Sequence, residues 1–105
     1  MQKIAWFVVA AALICPAAAF AEKGEIAKRV SGCDYYMVSA PSGYAILEWY
    51  GEYDPDEGDS ISGNFKVYGM HTFFVGPSDE ETRAYVEDWG LDKDSALESL
   101  SDKCD

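Results

Sequence analysis

Five carboxylates fall within one short segment, GEYDPDEGDS: Glu52, Asp54, Asp56, Glu57 and Asp59. Oxygen ligands of this kind suit calcium, which takes about six to eight of them. The spacing does not suit an EF-hand, because a loop starting at Asp54 would need glycine where Asp59 stands and a bidentate acid where Phe65 stands. A solvated acidic turn is therefore the first expectation, weak calcium binding the second and catalysis by paired carboxylates the third. His71 is the only histidine and could act as a general base. No Gly-x-Ser-x-Gly or similar nucleophile motif accompanies it, and nothing reads as a phosphate-binding or dinucleotide-binding turn. A half-exposed strand histidine and a non-enzymatic protein without a cofactor are expected.

The sulfur chemistry depends on where the chain resides. The first 21 residues, MQKIAWFVVAAALICPAAAFA, place Lys3 before an apolar run, Pro16 and an Ala19-Phe20-Ala21 exit. This predicts a secretory signal peptide cut after Ala21, leaving a single domain of residues 22–105. A retained anchor is the alternative, since about 18 apolar residues can span a bilayer, but Pro16 and the small-residue exit favour cleavage. An acylated Cys15 is disfavoured because Ile14, not a small residue, precedes it. The segment looks like a bacterial export signal, which implies a periplasmic or secreted protein with no membrane insertion after cleavage. Cleavage removes Cys15 and leaves Cys33 and Cys104, which should pair in an oxidising compartment. One distant pair and one histidine match neither a redox motif nor a zinc site.

The charge narrows the partners. Eight Lys and Arg oppose 19 Asp and Glu, for a net charge of −11, and losing Lys3 makes the mature chain more negative still. Nucleic acid is disfavoured, because affinity for its backbone comes largely from Lys and Arg on phosphates.

Chemistry-bearing residues need elements to hold them. Residues 22–32 carry Ile26, Ala27 and Val30 at helix-like spacing and predict a short helix or an ordered arm. Strands are predicted over Asp34–Ser39, Tyr44–Tyr50, Asp59–Lys66, Val67–Val75 and Thr82–Trp89, where Tyr, Phe, Trp, Val and Ile are dense and turn residues recur between them. In the second of these, alternation puts Ala45, Leu47 and Trp49 on one face and Tyr44, Ile46, Glu48 and Tyr50 on the other. Thr82, Ala84 and Val86 share an inner face, and Gly63 and Gly69 mark a bulge or bend. Asp92 as N-cap, Asp94 in the first turn and the stripe Ala96, Leu97, Leu100 and Cys104 predict a C-terminal helix. The expected fold is mainly β with one C-terminal helix, a small curved antiparallel sheet or closed barrel tied by one disulfide. In architecture this pattern resembles SH3-like or OB-like barrels, without a signature motif.

Twelve aromatic residues follow the signal segment, seven of them tyrosines. A small barrel cannot bury them all. Tyr44, Tyr50, Tyr53, Tyr85 and Trp89 are therefore expected on an outer face or at a barrel mouth, where amphipathic rings suit protein, peptide or sugar contacts. The reading that follows is a binding module for a cationic envelope or extracellular protein; in general style it resembles inhibitors of cationic lysozymes, without an inhibitor motif. The alternative is an envelope structural or accessory protein with weak calcium or peptidoglycan binding.

Overall fold

Six antiparallel strands close into a barrel in the computed structural model of the protein, which describes residues 21–105. They are β1 (Glu22–Arg29), β2 (Tyr35–Ala40), β3 (Gly43–Glu52), β4 (Ser60–Gly63), β5 (Gly69–Val75) and β6 (Glu80–Leu91), followed by helix α1 (Lys93–Cys104). Their order around the barrel is β1-β2-β3-β6-β5-β4, and β4 pairs with β1 to close it. Closure leaves no sheet edge open. Apart from Ala21, the expected signal peptide lies outside the described residues.

The helix or arm expected at residues 22–32 is instead strand β1, and it supplies the sixth strand where about five were expected. Ile26 and Ala27 give this strand its helix-like spacing. They are adjacent, as two positions of a helical stripe can be, yet they occupy opposite faces: Ile26 enters the barrel core and Ala27, with Val30, packs toward the helix. A register shift between Ile26 and Lys28 inserts a bulge that keeps both faces satisfied. The partners that fix this strand are far away in sequence, as in the pairing of Glu22 with Gly63.

The alternation predicted for β3 matches the barrel. Ala45 and Leu47 are buried inside, with Trp49 packed against them, while Ile46 points outward to the helix. Thr82, Ala84 and Val86 are all buried on the inner side of β6. Each fully buried side chain of the size of Val, Ile or Phe contributes roughly 1.5–3 kcal/mol relative to exposure. β2 and β3 are apolar on both faces because α1 covers them outside: Met37 and Ile46 meet Ala96 and Leu100. Asp92 caps α1, its Oδ1 accepting from the Ser95 N–H at 2.8 Å. Cys33 and Cys104 form the expected disulfide, with Cα atoms 5.5 Å apart, tying the end of α1 to the start of β2.

Two glycines permit close approach. A Cβ on Gly63, at the end of β4, would lie 2.3 Å from Phe73 Cδ1, so the Phe73 ring occupies that space and stacks on Phe65, centroids 5.1 Å apart. Gly43, at φ 120° after the Pro41-Ser42 turn, lets β3 pass Gly90 with only 3.0 Å available to a Cβ. β4 is shorter than expected, ending at Gly63, and β5 starts at Gly69 rather than Val67. Residues 64–68 form a loop that turns Phe65 into the core and leaves Val67 and Tyr68 exposed.

Candidate functional site

β3 and β4 are not neighbours in the barrel, so the acidic segment between them must cross one end of it. Within this crossing Pro55 is buried while its neighbours Asp54 and Asp56 are exposed. Arg29, at the end of β1, fastens the segment: its guanidinium donates to Asp54 Oδ1 at 2.8 Å and to the Pro55 carbonyl, and its backbone N–H donates to Glu57 Oε1 at 3.0 Å. Its Cζ lies 5.0 Å from the centroid of the Tyr36 ring. Burial pushes the Tyr36 phenol well above its ordinary pKa. Asp59 Oδ2 accepts from the Asp56 N–H, and the Gly58 N–H and Asp59 carbonyl bond to Ile26. Glu52 ends β3 at φ 68° and is exposed. These carboxylates therefore do not converge: among the described residues, no group of three or more His, Cys, Asp or Glu stands close enough to hold a metal ion. The segment acts as a pinned cover over the barrel end.

His71 faces inward at the opposite end, half-buried, and its Nε2 lies 2.9 Å from the Val67 carbonyl, a donor's position that holds loop 64–68 against β5.

The outer surface of β3, β6 and β5 beyond the helix is where exposed rings gather. The strand register lines up Tyr35, Glu48, Tyr85 and Met70 across four strands, since Tyr35 pairs with Glu48, Glu48 with Tyr85 and Tyr85 with Met70. Residues so paired share a face, with Cβ atoms about 4.5–5.5 Å apart. Tyr50 joins them through an irregularity in β3. Trp49 pairs with Ala84 and Gly51 with Arg83, so Tyr50 is the extra residue of a bulge, turned outward with its ring 6.5 Å from that of Tyr85. Tyr50 is 53 % exposed, Met70 38 % and Tyr85 37 %, a concentration of large apolar area on one wall of a small barrel.

The local field is negative. The Glu48 carboxylate, and beyond it Glu87, pushes the Tyr50 phenol above its ordinary pKa. Tyr35 is raised first by burial and then by the same two carboxylates. Lys103, from the last turn of α1, sits 5.2 Å over the Tyr35 ring and 4.0 Å from Glu87. At the acidic end, Asp59 and then burial raise the Tyr53 phenol.

Of the five aromatic residues expected at the surface, Tyr50 and Tyr85 come together. Tyr53 is exposed on the acidic segment, its carbonyl accepting from Trp49 Nε1 at 3.0 Å. Tyr44 is on the outer side of β3 as its alternation requires, but packs in the cluster under α1. Trp89 is half-buried against the barrel core, with Tyr68 6.4 Å away. Tyr68, Met70 and Phe74 are exposed and were not among the expected surface residues. For Met70 and Phe74 the signal was present: they alternate with the inward-facing His71, Phe73 and Val75.

The fold and this face together define a small disulfide-tied β-barrel with one helix packed on its outer surface. No family model, curated protein or solved structure matches the chain. Among the described residues, no helix is long and apolar enough to cross a membrane.

Proposed function

We propose that the protein is an exported binding module, acting in the periplasm or outside the cell, that contacts a cationic protein through the outer wall of β3, β6 and β5. The carrying observation is the group of Tyr50, Tyr85 and Met70 beside Glu48, exposed on strands whose inward-facing Leu47, Phe73, Val75, Ala84 and Val86 are buried in the core. Rigid aromatic rings supply contact area at low entropic cost, and tyrosine is enriched at protein interfaces. Carboxylates around them complement a basic partner and raise its rate of encounter. The disulfide is consistent with an oxidising compartment, and the net charge of −11 with basic partners.

The test is retention of envelope proteins on immobilised, oxidised protein comprising residues 22–105. A basic protein should be held at low salt and released at about 0.5 M salt, where the screening length is only a few Å. Retention of nothing under either condition defeats the reading. Salt-resistant retention of glycan would replace it with sugar stacking.

A further inference from the structure

The barrel uses one arrangement twice within itself. Arg29 lies over the Tyr36 ring with its guanidinium on Asp54, and Lys103 lies over the Tyr35 ring with its ammonium near Glu87. In each case a cation sits against the face of a tyrosine while a carboxylate balances its charge, combining ring-quadrupole and Coulomb attraction. Glu48, Tyr50 and Tyr85 supply the same components: two exposed rings 6.5 Å apart and tilted by 43°, with a half-buried carboxylate paired across the strands to one of them. Here no Lys or Arg among the described residues lies within 4.0 Å of the carboxylate, whose neighbours are the hydroxyls of Tyr35 and Tyr50, so its charge is hydrogen-bonded but not balanced by a cation in contact. We propose that Glu48, Tyr50 and Tyr85 form a seat for an arginine side chain presented by the partner.

Guanidinium fits better than ammonium for two reasons. It is planar and stacks on tyrosine faces while donating to a carboxylate in its own plane, and it sheds water more readily. Tyr50, the bulge residue, stands on β3 and Tyr85 on β6, with their rings tilted by 43° to each other. Two resident cations flank the position and oppose a third: Lys103, over the ring of Glu48's cross-strand neighbour Tyr35, and Arg83, two residues along β6 from Tyr85 on the same side, whose removal sets a sign for the test. This inference rests on the binding-module reading only for the source of the arginine; the seat itself is a local property.

The probe is N-acetyl-arginine amide, titrated at low salt into the oxidised protein and followed by the ring-proton resonances of the tyrosines. N-acetyl-citrulline amide serves as the uncharged control. Shifts should concentrate on Tyr50 and Tyr85 and be absent with citrulline. E48Q should weaken binding about threefold to fivefold, the scale of an exposed ion pair, and Y50A by a similar factor. R83Q should strengthen it, and E98Q, which removes the same charge from an exposed helical position, should leave it unchanged. Shifts spread evenly over the acidic surface, equal shifts with citrulline, or equal losses in E98Q and E48Q would overturn the seat. A basic protein captured from the envelope but indifferent to E48Q would also overturn it while leaving the binding module standing. Arginine bound at the seat with nothing captured would do the reverse.

Discussion

Removing the disulfide with C33A/C104A should lower the melting temperature steeply while leaving the folded structure intact at room temperature. The bond closes a separation of 71 residues, which in the chain-entropy relation restricts the unfolded chain by about 4 kcal/mol at 25 °C. The unfolding entropy of residues 22–105 is about 0.18 kcal/mol/K, from roughly 2.1 cal/mol/K per residue, so the expected loss is about 22 °C. Little should be lost from the native state, because α1 is held independently by Ala96 and Leu100 against Met37 and Ile46. The assay is differential scanning calorimetry of the double variant beside the oxidised protein, with circular dichroism at 25 °C to check that the helix is retained. A fall of less than about 5 °C with the helix in place would refute the entropic account. Loss of the helix signal at 25 °C would also refute it, since the bond would then be holding α1 on the barrel.

Other perturbations test the packing and the cover. G63A drives a methyl group into the Phe73 ring, whose Cδ1 would be 2.3 Å away, at a backbone φ of 156°; by urea denaturation it should cost roughly 2–3 kcal/mol, and a neutral result would contradict the close packing. R29A removes the bond to the Pro55 carbonyl and the cover over Tyr36. It should cost about 2 kcal/mol and speed amide exchange in residues 53–59, whereas unchanged exchange there would show that Arg29 does not pin the segment. Accepting the Ser95 N–H holds the Asp92 carboxyl below its ordinary pKa. A depressed folded-state pKa contributes stability that is complete above the unfolded value near 3.9 and is lost as pH falls through the lowered folded value. Helicity of α1 should therefore decline at the acid end of a titration, and D92N, which keeps a capping oxygen but has no titrating carboxyl, should remove that part of the decline.

Much of the barrel was legible because its cores are local patterns. Ala45-Ile46-Leu47 declares two apolar faces in one strand, and Asp92 with Ala96 and Leu100 declares a capped amphipathic helix. β1 was not legible, because Ile26, Ala27 and Val30 satisfy a helical spacing as readily as a bulged strand with two apolar neighbours. The deciding contacts, Ile26 to Asp59 and Glu22 to Gly63, join segments more than thirty residues apart. The acidic segment was readable as a turn, but its role as a cover depends on β3 and β4 lying apart in the closed barrel. For the candidate face, composition pointed to tyrosines and alternation put Tyr50 outside; its proximity to Tyr85 required the register of β3 on β6. Tyr68 was assigned to a strand because Val67 and Tyr68 are strong strand formers. Turning Phe65 into the core leaves both in a loop.

The most direct measurement of the proposed binding face is retention of envelope proteins at low salt by the oxidised protein and by its Y50A/Y85A variant, with the folding of both verified by melting. A basic protein should be held by the former, released at about 0.5 M salt, and not held by the variant. Equal retention by the folded variant, or retention of an acidic protein, would contradict it.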